Sequence, residues 1–320
     1  MRFRVLRSAW GLTGLRSDPR RALAGVRQAG FDGIEASLSD IGSTSEEQHN
    51  FVAAAQAADL SLILSAYSSW PNYEGDFESI PLDAHLSNLT TDFRDIAALH
   101  TSLPAGSPII GVNAHSGSDA WTETQTADFF ARALEASDGC ELPNVSHETH
   151  RARALCCPFV TARLLAAVPR LRLTSDFSHW VLKCERLLDA PAEAALLRDT
   201  IAPAVDHLHA RIGTPQQPQV ADVEAASVRG AAERFYSFWT DVWTAAQRRS
   251  LSRRDFTATV EYGPVELSDA GEYVGYTPVD AALQPVARRP HDETLRVSAD
   301  ALKARFEAWH ADLSAQKLVL

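Results

Sequence analysis

The stretch LRLTSDFSHW at positions 171–180 carries an apolar and β-branched run that breaks off at Asp176 and is followed three residues later by His179. Three other stretches end the same way: NVSHE at Glu148, VDHLH at His209 and FTATVE at Glu261. In each, a run with strand character stops at one side chain able to ligate a metal. Taken singly, an acid in such a place is more often a helix N-cap or a surface charge. Four such endings, in the order Glu, Asp, His, Glu, point to strand ends gathered around one cation.

Outward from that stretch, strand and helix signals alternate along the chain. Runs at 3–10, 31–35, 60–66, 109–115, 144–148, 171–175, 205–209 and 256–261 read as eight strands. The run at 60–66, LSLILSA, is continuously apolar, as expected of a strand covered on both faces. Between the strands lie helix signals. Asp18 and Pro19 give an N-cap and a first-position proline, Leu23, Val26 and Ala29 mark the buried face, and Gly30 stops the helix. Thr44 with Glu47 forms a capping-box pattern ahead of a helix to Ala58. Residues 81–99 and 121–136 read as helices, another follows Pro158, and a sixth lies at 192–198. Pro104, Gly106 and Pro108 punctuate the chain before the fourth strand. Val228, Ala232, Phe235, Trp239 and Val242 form one apolar face of a long helix, and Leu302, Phe306, Trp309 and Leu313 that of the last.

Eight such pairs, with no internal repeat and no break in composition, predict a single (β/α)8 barrel, an α/β fold, over 1–320. A long irregular excursion at about 262–297 precedes the closing helix, and its length suits a lid or a subunit contact, so a homo-oligomer is left open. In a barrel the C-terminal ends of the strands converge on one mouth. Glu148, Asp176, His209 and Glu261, separated by 28, 33 and 52 residues, then come from consecutive strands five to eight and ring one site.

Composition bounds the partners. Lys and Arg number 30 against 41 Asp and Glu, a formal net charge of −11, which disfavours nucleic acid as the main partner. The N-terminal MRFRVLRSAW lacks the apolar core of a secretory signal, and no stretch approaches the ~20 apolar residues of a membrane span. The chain is read as cytoplasmic and not membrane-bound. Cys140, Cys156, Cys157 and Cys184 include no Cys-x-x-Cys pair and read as reduced structural thiols.

Six motifs in order carry a family resemblance: GFDGIEA at strand two, VNAHSGSD at strand four, SHETHR at strand five, DFSHW at strand six, HLHAR at strand seven and VEYGP at strand eight. With them the chain resembles the xylose isomerase-like barrel superfamily, in its sugar phosphate isomerase/epimerase branch. That branch includes the ketose 3-epimerases, the inosose isomerases and dehydratases, and endonuclease IV. The resemblance implies one divalent metal held by Glu148, Asp176, His209 and Glu261, with Glu148 and Glu261 as catalytic acid and base. Mn²⁺ is the first expectation, with Mg²⁺, Co²⁺ or Zn²⁺ as alternatives.

The chemistry of the residues agrees with that expectation. Three carboxylates and one imidazole make a hard, oxygen-rich site suited to Mn²⁺ or Mg²⁺. A cation chelated by a carbonyl and a neighbouring hydroxyl acidifies the C–H between them and stabilises an enediolate. Two carboxylates on opposite faces can then remove and return the proton. His179 is expected to hold a substrate oxygen, and Arg211 a substrate oxygen or anionic group. His115, Glu35 and Trp10 are candidates for the pocket wall. His115, together with His147, His150 and His207, also has the plainer reading of a hydrogen-bonded structural histidine. Arg151 and Arg153 are expected in ion pairs near the mouth.

The expected function is a metal-dependent isomerase or epimerase of a small sugar or sugar-like molecule. The same site ending in β-elimination, a dehydratase or lyase acting on a keto-sugar or inosose, is the alternative. An endonuclease IV-like enzyme is disfavoured, because SAYSSW after strand three holds no histidine and RIGTPQQPQVAD lacks an Asp-x-His. A barrel without catalysis would bind no metal. RIGTPQQPQ also replaces the glutamate- and arginine-bearing loop of the ketose 3-epimerases, so their substrate choice does not transfer.

Overall fold

The computed structural model describes residues 1–69, 80–103, 106–249, 255–280 and 289–318, with 282, 284 and 286 between the last two spans. Trp70 of the SAYSSW stretch and Pro104 of the proline-glycine punctuation fall outside them. The eight strands are β1 (Arg2–Ser8), β2 (Gly33–Ser37), β3 (Ser61–Tyr67), β4 (Ile109–His115), β5 (Val145–Glu148), β6 (Leu173–Asp176), β7 (Val205–Ala210) and β8 (Asp255–Val260). Each pairs in parallel with the next, and β1 pairs with β8 from Arg2 opposite Asp255 to Arg7 opposite Val260, which closes the barrel. Parallel neighbours need long crossovers, and helices supply them. As the apolar run foretold, β3 is buried along its length as far as Ala66.

The helices are α1 (Pro19–Gln28), α2 (Leu38–Ile41), α3 (Ser45–Ala57), α4 (Leu82–Thr101), α5 (Glu123–Gly139), α6 (Pro158–Ala167), α7 (Phe177–Lys183), α8 (Pro191–Leu196), α9 (Arg229–Arg249) and α10 (His291–Leu318). The expected caps are present. Asp18 accepts from the Arg21 amide ahead of Pro19, and Thr44 and Glu47 cap α3 reciprocally. Phe235, Phe238, Trp239, Val242 and Trp243 of α9 are buried, and α10 adds Leu295, Leu302 and Phe306. Phe3 of β1 lies between Trp243 and Phe306, at ring-centroid distances of 5.6 and 4.4 Å. The closing helix is thereby fastened to the first strand.

Several boundaries differ from the sequence reading. The first strand stops pairing at Ser8, and the chain turns through Gly11 with φ +75, so Trp10 lies in a loop above the strand. The second strand pairs over 33–37; the chain joins the barrel wall at Asp32, whose amide donates to the Val5 carbonyl and whose carbonyl accepts from the Ser61 amide. Ala29 is exposed, because it is the C-cap residue of α1 and has left the buried face. Val228 belongs to a 3-10 turn ahead of α9. The sixth helix runs on from Leu196 into a π-helical turn at Leu197–Ile201.

Two differences bear on function. α7 was not expected. It begins directly after Asp176, which is both the last residue of β6 and the N-cap of α7, accepting from the Ser178 amide. The excursion also ends earlier than read, at Pro290. α10 opens there with Asp292 and Glu293 in its first turn, where acids favour a helix N-terminus.

Candidate active site at the barrel mouth

Strand register brings the four expected residues to one level. Glu148 and Asp176 end β5 and β6, Asp176 lies opposite His209 on β7, and Glu261 follows β8 by one residue. His209 is the hub. Its Nδ1 is 3.1 Å from Glu148 Oε1 and 3.3 Å from Glu261 Oε1, and its Nε2 is 3.0 and 3.1 Å from the two oxygens of Glu35. Ligating atoms of Glu148, Asp176 and His209 all lie within 4.8 Å of one another. Two further groups meet the same limit: Glu35 with His207 and His209, and Glu148 with His150 and His179.

Glu35 forms the floor beneath His209. It is buried, accepts from Asn113 Nδ2 at 2.9 Å and from Thr259 Oγ1 at 2.5 Å, and meets His207 Nε2 at 3.2 Å. Burial alone would push its carboxyl up. The charge of His209 and the hydrogen bonds from His207 and His209 outweigh that and hold it well below the carboxylate range. His209 shows the converse: burial disfavours its proton, but Glu261, Glu35 and Glu148 together hold its pKa well above the usual value. Glu148, which burial would also raise, is held low by His115 and His209. Burial pushes Glu261 up, against the pull of His209 and Arg211.

Asp176 is fully buried and bonded on both oxygens. Ser178 donates to Oδ1 from its amide and its hydroxyl, at 2.9 and 2.6 Å, and Arg211 Nη2 donates to Oδ2 at 2.5 Å. Oδ1 uses both lone pairs on Ser178, whereas Oδ2 keeps one beyond the Arg211 bond, so Asp176 retains one acceptor position. Arg211 is itself buried, 2.7 Å from His179 Nε2 and 3.1 Å from Ser178 Oγ. Its guanidinium lies among this chain's own groups, which accounts for more of it than the substrate contact expected from sequence.

A divalent cation suits this donor set. The carboxylates of Glu148 and Asp176 are buried and that of Glu261 is 14% exposed; with Nε2 bonded to Glu35, a neutral His209 would offer the lone pair of Nδ1 beside them. The Glu35 bond to Nε2 turns Nδ1 toward Glu148 and Glu261, the arrangement by which an outer carboxylate orients a metal-ligating histidine.

Above this cluster opens a cavity of about 270 Å³. Trp10 stands on one side, its indole N–H bonded to Glu266 Oε1 at 2.6 Å and its ring edge-on to Tyr276 at 5.4 Å. Gly263 makes room for it, since a Cβ there would fall 2.4 Å from the Trp10 ring. On another side Tyr67 stacks on His115 at 4.6 Å, and His115 in turn pairs with Glu148. His150 and His179 pack ring to ring at 3.7 Å. Burial pushes the His179 imidazole down, helped by the neighbouring His150 and Arg211.

All nine residues expected from sequence meet here. Eight line the cavity: Trp10, Glu35, His115, Glu148, His179, His209, Arg211 and Glu261. Asp176 is the exception, held behind Arg211. Of the histidines read as structural, His147 bonds Ser116 and His207 bonds Thr257, away from the cavity, but His150 lines it. Tyr67, Asp40, Glu266 and Tyr276 were not singled out. Tyr67 ends β3 and could have been found by the strand-end rule, whereas Glu266 and Tyr276 lie in the excursion, where no periodicity marks a residue. Among the described residues Arg151 forms no ion pair; it lies 4.6 Å over the Tyr276 ring. Arg153 is buried.

No family model and no curated protein matches the sequence. Solved structures do resemble the fold. A D-allulose 3-epimerase from Methylomonas sp., solved with D-allulose, is 15% identical with a TM-score of 0.59, covering 95% of this chain and 97% of that one. A probable 3-DHS dehydratase from Bacillus anthracis is 14% identical with a TM-score of 0.54, covering 95% and 99%. Endonuclease IV from Thermus thermophilus is 15% identical with a TM-score of 0.54, covering 96% and 100%. At these identities the likeness shows the fold, a (β/α)8 barrel.

Proposed function

We propose that this chain is a divalent-metal-dependent isomerase or epimerase of a small sugar, moving a proton at a carbon next to a carbonyl. The observation that carries the reading is the convergence of Glu148, Asp176, His209 and Glu261 beneath one aromatic-walled cavity. Glu148, Asp176, His209 and Glu261 would hold the cation, with Mn²⁺ the first expectation for an oxygen-rich set. Once bound, it supplies charge that polarises a carbonyl and an adjacent hydroxyl and so acidifies the C–H between them.

The chain's own groups do the rest. Glu148 and Glu261 flank His209 Nδ1, and one removes the proton while the other returns it. His209 is fixed by Glu35 and cannot turn away. His179 offers an imidazole to a substrate oxygen. Trp10, Tyr67 and Tyr276 present ring surface to the C–H faces of a sugar and exclude water from the proton being moved. The fold neighbours named as epimerases of small sugars support this substrate class.

The test is metal analysis of the purified protein, followed by a screen of keto-sugars in D₂O. Bound Mn²⁺ and deuterium uptake next to the carbonyl, abolished in Glu148→Gln and Glu261→Gln, is the expected result. Uptake retained in both variants would overturn the assignment of the bases. Loss of water from the substrate, in place of a new isomer, would move the reading to a dehydratase.

A further inference from the structure

The loop RIGTPQQPQ, which follows β7 and past Arg211 has no role in the reading above, ends in a buried amide. Gln219 is 1% exposed. Its Oε1 accepts from the Gly263 amide at 2.8 Å and its Nε2 donates to the Gly263 carbonyl at 3.1 Å, so one side chain closes on both polar groups of one residue. The same Nε2 donates to Thr277 Oγ1 at 3.0 Å. Thr277 is likewise buried, and its hydroxyl donates to the Gly263 carbonyl. Gly263 and Thr277, 14 positions apart, therefore meet at one amide.

Each end adjoins a residue of the site. Gly263 lies two residues past Glu261 and directly beneath the Trp10 ring. Thr277 follows Tyr276, whose ring meets Trp10 and lies 5.1 Å from the Arg211 guanidinium. We propose that Gln219 is a positioning residue: by clamping Gly263 to Thr277 it sets the Glu261 carboxylate and the Trp10–Tyr276 wall against the cavity. The inference rests on the metal-site reading for its kinetic consequence but not for its geometry.

The clamp is specific to glutamine. It needs a donor and an acceptor at the end of three carbons; asparagine is one carbon short, and an ionised glutamate accepts but cannot donate. Gln219→Glu keeps the shape and sets a carboxylate oxygen against the Gly263 carbonyl. Displacing a catalytic group by about 1 Å costs on the order of 100-fold.

The experiment compares wild type, Gln219→Glu and Gln219→Met by hydrogen exchange of 262–278, by Mn²⁺ titration, and by kcat and KM on the keto-sugar found active. The expected result is faster exchange confined to 262–278, Mn²⁺ affinity down about tenfold, and kcat down on the order of 100-fold with a smaller change in KM. Gln219→Met, without either hydrogen bond, is expected to behave likewise, which separates the lost clamp from the added charge. Faster exchange with unchanged affinity and kcat would overturn the proposal, reducing Gln219 to a structural tie. If wild type takes up no Mn²⁺, the metal reading fails and exchange decides alone: equal rates over 262–278 in all three proteins overturn the clamp, and faster rates in the variants support it.

Discussion

Glu35 and His209 meet edge to edge, both oxygens of the carboxylate lying within 3.1 Å of Nε2, so the nitrogen facing Glu148 and Glu261 is fixed as Nδ1. Glu35→Gln keeps the volume but loses the charge and one acceptor. Removing an outer partner of a ligating histidine typically lowers metal affinity about 10- to 100-fold. Mn²⁺ titration of the variant is expected to show a loss in that range with the fold intact by circular dichroism. Affinity equal to wild type would remove Glu35 from the site.

Arg211 and Asp176 form a buried pair, 3% and 0% exposed in their side chains. Arg211→Met leaves a carboxylate in a dry environment with only the Ser178 bonds, and breaking a buried pair from one side costs about 3–5 kcal/mol. Urea unfolding of Arg211→Met at neutral pH is expected to show a loss of that size. The double variant Arg211→Met/Asp176→Asn is expected to recover part of it. A double variant no more stable than the single would show that charge is not the cause.

His85 provides a pH dependence away from the cluster. It is fully buried, with Nδ1 2.9 Å from Ser68 Oγ, and burial pushes its pKa down to about 4. The unfolded chain takes this proton near pH 6.5 and the folded one only near 4, so the neutral ring favours the fold above 6.5. That contribution is lost as pH falls from 6.5 toward 4 and is constant below. Allowing for solvent screening, the effect is about 2 kcal/mol. The stability gap between wild type and His85→Gln is expected to narrow by that amount between pH 7.5 and 4.5. A gap that widens on acidification would contradict the burial argument.

Gly263 is required by its neighbour. Gly263→Ala places a Cβ 2.4 Å from the Trp10 ring, and overpacking of this kind costs about 1–3 kcal/mol. The near-ultraviolet circular dichroism should change as the indole is displaced. In a Trp10→Ala background the same substitution should cost far less, a non-additivity expected of residues in contact. Equal costs in the two backgrounds would place the strain elsewhere.

The strands and the floor of the site were legible in the sequence because Glu148, Asp176, His209 and Glu261 each stand where a hydrophobic run stops, and the barrel makes such stops converge. Asp176 shows how far that logic reaches. The plain reading of an acid at a strand end, a helix N-cap, is also true of it, because α7 begins directly after it, and the seven residues FSHWVLK leave too little periodicity to announce a helix. His150 was set aside as structural, since nothing in SHETHR tells which histidine faces inward. Glu266 and Tyr276 line the cavity from a segment tied at its ends by Gln219, and hydrogen bonds between loops distant in sequence leave no pattern in either one. The start of α10 is hidden for a different reason: its first turn is marked by the charges of Asp292 and Glu293 and not by apolar spacing.

The bond from Trp10 to Glu266 joins residues 256 positions apart, and that from Glu35 to His209 spans 174. A chain emerging from the ribosome therefore holds the Trp10 indole without Glu266, and Glu35 without His209, until those later segments have been made, since the amino-terminal part is released first. A chain ended soon after β8 would carry every carboxylate of the floor and the hub histidine but neither Glu266 nor Tyr276. The Trp10 side of the wall is thus completed only after the floor, and the cavity takes its final shape late in the making of the chain.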